Sequence, residues 1–466
     1  MKSVRSFWRV ARLLLFSVLL IFIAIQFIRP PLDNPAVTGD LQAPPEVKNV
    51  LVRACYACHS NQTRLAWFDQ PAPAYWLVVN DVKEGRKVLN FSNWDSLPKG
   101  VRAAKLFEAI FQIEQQAMPL SNYTLLHHGG VITSDEIAAM KQYVLTLGYH
   151  PVVDTARQRA LFEQWAHYAG WSAPAGVKDE YNGIGYASLA GFANWQAVST
   201  TERYDNGTFR VIFGNDVVVK AIRVGHTNPW PDGAIFAKAA WDQLPDSSGG
   251  IEAGAFRQVE FMIRDGQKYG ATFGWGWARW VGGLALKPYG KDASFVTECL
   301  NCHRPLDKTD HTFTFPLIDT SGLYDQAALI GDSVDAYPLR GKVITTFVDS
   351  RAGTMSTLYG NDLAVQRARS GQGYPAGAVI SLVTWSQRED PHWFGGRIPK
   401  GLESVEVVRF GAGGPVAGGA IDAGRADGVP AYSRFEGTVL TKRAVAADVA
   451  AQRIQYIVGK KASVVP

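Results

Sequence analysis

The chain has 466 residues, too many for one ordinary domain, so its length alone points to several. Its formal net charge is +5, and residues 1–34 set five basic side chains (Lys2, Arg5, Arg9, Arg12, Arg29) against one acid, Asp33, which leaves the remainder near neutral. No basic stripe argues for nucleic acid, and 45 Gly, 14 Trp and 23 Phe fit strand-rich globular domains with aromatic cores.

Lys2, Arg5, Arg9 and Arg12 precede an apolar run from Leu13 to Ile28 that only Ser17 and Gln26 interrupt. That is a positive region followed by a hydrophobic segment. No small-x-small cleavage site follows, since the exit is Arg29-Pro30-Pro31. The pattern predicts an uncleaved N-terminal membrane anchor over residues 1–34 in preference to a cleaved signal. Positive-inside orientation keeps the N-terminus in and places the rest in a bacterial periplasm, anchored to the inner membrane.

Residues 35–150 read as a small α-helical domain. The Pro-rich stretch from Pro31 to Pro45 is a spacer. Helical spacing is then predicted over Glu46–Ala54, Asp81–Leu89, Gly100–Gln115 and Ser134–Leu147, the last opened by Ser134-Asp135-Glu136. Between the first two lies Cys55-Tyr-Ala-Cys58-His59, and a second copy, Cys299-Leu-Asn-Cys302-His303, uses the remaining two of the four cysteines. Cys-x-x-Cys-His is the attachment pattern of a c-type haem: the thiols add across two vinyl groups and the histidine reaches the iron. A zinc site, a redox pair or a disulfide within each motif would not explain a histidine after both pairs. The motifs therefore predict two covalently bound haem c groups.

An electron-transfer haem needs a sixth ligand, and Met118-Pro119, in the loop after a predicted helix, is the leading choice, with His127 or His128 as the imidazole alternative. Core packing is the competing explanation for Met118. Arg53 to Asn61, Trp67, Pro73, Trp76, Asp81, Glu84-Gly85-Arg86, Asn90-Phe91-Ser92, Trp94 and Met118-Pro119 resemble the haem-binding domain of membrane-anchored bacterial cytochromes.

A linking helix is predicted over Asp154–Gly170, within a linker of residues 151–184. Beyond it short strands take over, clearest at Phe209–Phe213, Ala234–Trp241, Arg257–Arg264 and Ala271–Val281, with a helix over Asn215–Arg223. Residues 185–330 thus read as an antiparallel sheet with one helix packed on it, closed by the second haem motif. Gly214-Asn215-Asp216, Asn228 to Lys238 and Glu298 to His303 resemble the cytochrome P-460 family, which includes the β-sheet type of cytochrome c-prime. The resemblance implies a haem with His303 proximal and an open distal face.

In the P-460 branch a strand lysine is bonded to the porphyrin and hydroxylamine is oxidised. Lys238 falls on the matching position, and its face is shared with Phe236 and Ala240 rather than with other charges. Whether Lys238 is crosslinked stays open, because relatives that lack the bond bind nitric oxide. Glu298 is the first choice for a proton acceptor, though a carboxylate at the start of the motif helix is favoured by the dipole in any case. Phe236, Trp230 and Trp280 are read as pocket wall or, equally, aromatic core; His226 and His311 are read as surface residues, with a place in the pocket as the alternative.

Residues 331–466 repeat this pattern. Val198-Ser-Thr, Gly207-Thr and Gly214-Asn-Asp recur as Ile344-Thr-Thr, Gly353-Thr and Gly360-Asn-Asp at a constant spacing of 146 residues, and after a two-residue deletion Pro231-Asp-Gly-Ala to Trp241 recurs as Pro375-Ala-Gly-Ala to Trp385, yet no Cys-x-x-Cys-His follows and Leu382 replaces Lys238. The second copy is predicted to be haem-less. Because free-standing family members dimerise, the resemblance implies an intrachain pseudo-dimer of the two sheet domains. The fold class expected is α+β: a membrane helix, a small all-α cytochrome c-like domain and two tandem sheet-plus-helix domains.

The functional expectation is a dihaem oxidoreductase. Hydroxylamine or a related small nitrogen oxide is oxidised at the His303 haem, and electrons pass to the His59/Met118 haem and on to a soluble cytochrome or a membrane acceptor. The alternatives are a nitric-oxide-binding cytochrome, for scavenging or sensing, and a plain electron-transfer cytochrome.

Overall fold

The computed structural model describes residues 2–149, 153–154, 156, 159–161, 176–317, 338–411, 430–437, 440–463 and 465. The chain forms two compact units, Met1–Gly148 and Tyr149–Pro466. Most of the expected linking helix and the segment 318–337 lie outside the described residues.

The first unit is helical. Helix α1 spans Lys2–Ile25. Its uncharged portion begins only after Arg12, so Leu13–Ile25 rises about 20 Å, against the roughly 30 Å of a bilayer core. Among the described residues no helix is long and apolar enough to cross a membrane, which overturns the expected anchor and the localisation built on it. The chain after α1 is instead tied into the unit: the Gln26 amide exchanges hydrogen bonds with the Ala72 backbone at 3.1 and 2.8 Å, and the Trp76 indole donates to the Ile28 carbonyl at 2.7 Å.

Helices α2 (Pro45–Ala54), α3 (Tyr56–His59), α4 (Ala74–Val88), α5 (Lys99–Glu114), α6 (Ser121–Leu126) and α7 (Ser134–Leu147) follow. The apolar stripe of α2, Val47, Val50, Leu51 and Ala54, is buried, as are Leu106, Phe107, Ile110 and Phe111 of α5 and Met140 and Val144 of α7. The cap of α7 is Thr133, one residue earlier than read from the sequence. Its hydroxyl accepts from the Glu136 amide, while the Glu136 carboxylate accepts from the Thr133 amide.

The second unit is a 12-stranded sheet, eight strands of which close into a ring. These are β1 (Gln196–Arg203), β2 (Thr208–Gly214), β3 (Ile235–Pro245), β4 (Gly250–Arg264), β7 (Lys342–Asp349), β8 (Thr354–Gly360), β9 (Val379–Glu389) and β10 (Gly396–Arg409). Strands β5 (Trp275–Val281) and β6 (Lys287–Pro288) extend from β4, and β11 (Ala431–Glu436) and β12 (Thr441–Arg443) from β10. Helix α8 (Asp216–Arg223) follows β2, α9 (Ser294–His303) follows β6, α10 (Asp362–Ser370) follows β8, and α11 (Ala447–Val458) follows β12. Asn215 and Asn361 cap α8 and α10 in the same way, each accepting from the third residue on.

Two seams join the early and late strands. At one, Gly250, Ile251 and Glu252 pair with Asp349, Val348 and Phe347. At the other, Gly396 and Arg397 pair with Arg203 and Glu202. Thr200 and Thr346, 146 residues apart, meet hydroxyl to hydroxyl at 3.5 Å. Period-two alternation sends Ala237, Ala239 and Trp241 into the ring's main core and Phe236 to the opposite face, where α8 and α9 pack.

Gly214 sits where β2 gives way to α8. A Cβ there would lie 2.4 Å from Val218 Cγ1, so only glycine permits the approach. Gly214→Ala should destabilise the protein by about 1–3 kcal/mol through overpacking, read as a lowered urea midpoint with an unchanged slope.

Candidate functional site

The two Cys-x-x-Cys-His motifs stand on different supports. In the first unit, α3 holds Cys55, Cys58 and His59 against α4. Gly85 allows that approach, since a Cβ there would fall 3.1 Å from the Cys58 carbonyl oxygen and 3.3 Å from the His59 ring. His59 Nδ1 is 3.0 Å from the Gly85 oxygen and 3.1 Å from the Leu89 oxygen. Both partners only accept, so Nδ1 carries the proton and Nε2 keeps its lone pair. Burial lowers the His59 pKa against those carbonyls, which keeps the ring neutral.

The residues after the motif form one network. The Asn61 amide N–H donates to Ser92 Oγ at 2.9 Å, the Asn90 side chain donates to Asn61 Oδ1 at 2.9 Å, and Arg86 Nε donates to the Ser60 carbonyl at 2.8 Å. This explains why the sequence signature extends past the histidine. Met118 lies in the loop after α5, its amide donating to the Gln112 carbonyl at 3.1 Å. His127 has both ring nitrogens engaged, with Asp69 Oδ2 and with the Tyr123 carbonyl, each at 3.1 Å, and His128 is exposed.

In the second unit, α9 carries Cys299, Cys302 and His303 over the outer face of β3, β4 and β5. His303 Nδ1 donates to the His311 carbonyl at 2.7 Å, and the His311 ring nitrogen lies 3.3 Å from the His303 carbonyl. Asp310 and His311 hold positive φ values of 46° and 64°. That turn is fixed by Asp310, whose carboxylate accepts from the Trp230 amide at 2.8 Å and whose carbonyl accepts from the Trp275 indole at 2.9 Å. Burial pulls the His303 pKa down to about 4, so its imidazole is neutral. His311 is therefore no surface bystander, whereas His226 is exposed.

Strand register places a charged cluster beside this motif. Lys238 on β3 pairs with Glu260 on β4, and Glu260 with Arg279 on β5. Lys238 Nζ is 2.5 Å from Glu260 Oε2, and Arg279 Nε is 3.5 Å from Glu260 Oε1. Burial lowers the Lys238 ammonium to about 8, with Glu260 acting against it. Burial alone would raise Glu260, but Arg279, Lys238 and Arg210 outweigh it and hold the carboxyl well below its usual range. Glu298 is half exposed and accepts from the Tyr289 hydroxyl at 3.2 Å, and it lies 3.6 Å from Arg279. Phe236 is buried edge-on to Trp230, with ring centroids 4.9 Å apart. Trp280 is not pocket wall: alternation along β5 turns it into the main core against Tyr186 and Phe261, and Trp277 takes the wall position, 5.9 Å from the His303 ring.

Residues 20–146 match the haem-binding domain family, and residues 189–314 match cytochrome P460. The chain carries the domains of a haem cytochrome. No curated protein matches it.

The residues present fit the group these families carry. No disulfide closes within either motif. Burial pushes the Cys55 and Cys299 thiols up to about 12 and Cys58 to about 11, so each is a neutral thiol. Among the described residues no three of His, Cys, Asp or Glu converge as a metal cage, which disfavours zinc; two thiols and one imidazole suit a porphyrin. On the second motif's face the indole N–H groups of Trp230 and Trp277 and the Nε–H of Arg210 are buried without a hydrogen-bond partner among the described residues, donors that suit the acid groups of a haem.

Glu260, Arg210 and Arg279 were missed from the sequence. A glutamate at the centre of Val259-Glu260-Phe261 and an arginine within Ala278-Arg279-Trp280 were signals that something polar is required. Only the register of β2, β3, β4 and β5 brings them together with Lys238.

Proposed function

We propose that this haem cytochrome is an oxidoreductase that takes electrons from hydroxylamine, or a related small nitrogen oxide, at the His303 haem and passes them to the His59 haem. The observation that carries the reading is the Lys238–Glu260–Arg279 row beside Cys299 and His303, where the cytochrome P460 match implies a lysine bonded to the porphyrin. Haem supplies an iron that accepts electrons.

Lys238 and Glu260 divide the remaining work. While Lys238 is a free ammonium it holds Glu260 ionised at low pKa, which makes a poor base. A covalent bond from Nζ to the porphyrin would remove that ammonium and leave Arg279 and Arg210 as the charges that hold Glu260 down, so Glu260 would rise towards the range in which it can take a proton from the substrate. Glu260, not Glu298, is the carboxylate this reading assigns as proton acceptor, because it touches Lys238 directly. Phe236, Trp275 and Trp277 exclude water on that face.

On this reading Met118 is the sixth ligand of the first iron, supported by the engagement of both His127 nitrogens. Met118→Ala should remove the low-spin signal of one haem only, as read by electron paramagnetic resonance. A soluble cytochrome is the proposed acceptor beyond it.

The late strands are read as a haem-less counterpart of the early ones. Two features support this: the reciprocal seams, and the recurrence of the paired Glu260 and Arg279 as the paired Glu406, 146 residues on, and Arg434, 155 residues on, the latter spacing also carrying Cys299, Cys302 and His303 onto Ile454, Ile457 and Val458. Ile454 and Ile457 are buried against Leu358, Leu382 and Val408, so apolar side chains fill that pocket.

The test is optical and mass-spectrometric. The denatured protein should show one red-shifted chromophore beside one ordinary haem c, and anaerobic hydroxylamine should reduce the His59 haem. Two identical haem c spectra with tight nitric oxide binding and no reduction by hydroxylamine would replace this reading with that of a nitric-oxide-binding protein.

A further inference from the structure

The turn between β9 and β10 reaches the segment that holds His303. Its six residues, Asp390-Pro391-His392-Trp393-Phe394-Gly395, are aromatic where the corresponding turn between β3 and β4 is Asp246-Ser247-Ser248-Gly249. The two turns occupy reciprocal places. The Ser350 amide donates to the Gly249 carbonyl at 3.0 Å, and the Asp205 amide donates to the Gly395 carbonyl at 3.1 Å. The added aromatic residues therefore lie on the side of the ring that carries the haem motif.

They form a chain of contacts that ends at His303. His392 Nδ1 donates to the Phe313 carbonyl at 3.1 Å, and the His392 ring stacks on Phe315 at 4.2 Å. The Trp393 ring lies 6.1 Å from that of Phe313, and the Phe313 ring stands edge-on to the His303 imidazole at 4.9 Å and 88°. Trp393 is itself fixed, its indole donating to Asp205 Oδ2 at 3.2 Å while the Arg203 guanidinium lies over its ring at 4.2 Å. Arg203 in turn forms a buried ion pair with Asp205. The His392 backbone N–H donates to Asp390 Oδ1 at 2.8 Å, which ties the backbone of the turn to its own base.

Phe313 lies two residues beyond His311, whose carbonyl accepts the proton of His303 Nδ1 at 2.7 Å. Whatever fixes Phe313 fixes both the rotation of the imidazole and the strength of that hydrogen bond. A stronger bond at Nδ1 makes Nε2 a better donor to a metal. We propose that the β9–β10 turn of the haem-less half positions the axial ligand of the other half's iron, with His392 and Trp393 as positioning residues acting through Phe313. The proposal rests on the reading that His303 ligates a haem.

The test uses the full-length haem-loaded protein. Resonance Raman spectra of the ferrous form report the iron–histidine stretch, and a redox titration reports the reduced fraction of each haem. His392→Ala should shift the stretch of the His303 haem and change its reduced fraction several-fold at a fixed ambient potential, leaving the His59 haem as it was. His392→Asn, which keeps an N–H near the Phe313 carbonyl, should restore the wild-type values. Trp393→Phe, which keeps the ring but loses the bond to Asp205, should give a smaller shift in the same direction and covers the case in which His392→Ala fails to fold. Unchanged signals in folded His392→Ala and Trp393→Phe overturn the proposal. His303→Gly separates the two levels, because it must abolish the stretch if the underlying reading holds whatever the turn does.

Discussion

Glu260→Gln is expected to lower hydroxylamine oxidation by about 10²–10⁴, the range for loss of a positioned proton acceptor. Both haems should remain attached, because Cys299, Cys302 and His303 do not bond Glu260. The variant also tests the state of Lys238. In wild-type protein a free Lys238 amine titrates near pH 8, held up by Glu260 against burial. Removing that carboxylate leaves burial and the nearby arginines, so the midpoint must move down. A Soret titration should show the lower midpoint if the amine is free, and no such transition if Nζ is bonded to the porphyrin. The stability consequence has a definite sign. A free Lys238 with a pKa of about 8 when folded and about 10.4 when unfolded binds fewer protons in the native state between those values. Stability then rises with pH across that window and is flat on either side.

Glu406→Ala should cost about 2–3 kcal/mol, measured by urea denaturation. Its carboxylate is almost fully buried and accepts from Arg434 at 2.7 Å and from Arg453 at 2.7 Å. Both arginines keep about a third of their side chains exposed, so they regain water when the acid is removed, which holds the loss below that of a fully buried pair. Arg453 lies on α11 and Arg434 on β11, so the change also unfastens that helix from the sheet. Glu406→Gln should recover part of the loss, because an amide oxygen still accepts. A cost under about 0.5 kcal/mol would mean the two ion pairs contribute no more than exposed ones do.

Local chemistry was legible in the sequence. The haem motifs and the helices Ser134–Leu147 and α8 depend on neighbours a few residues away, and the structure places them where spacing puts them. Strand β1 was passed over because Ser199, Thr200, Thr201 and Glu202 look too polar for a buried strand, yet register hides all four inside the ring and its seams. The proposal of Glu260 in place of Glu298 turns on a similar difference. Adjacency to Cys299 is visible in one dimension, whereas adjacency to Lys238 is created by pairing across two strands. The N-terminal anchor misled because hydropathy was counted through the helix end, past Gln26, into residues that bond to the folded unit.

The two seams bear on any attempt to isolate the early strands. β1 and β4 each present a row of peptide N–H and C=O groups that β10 and β7 satisfy in part. Cut away from the late strands, those rows would be bare templates for any passing strand, the condition that leads to aggregation. The late strands thus act as a permanent edge guard, covalently present at every molecule's side whatever the protein's dilution.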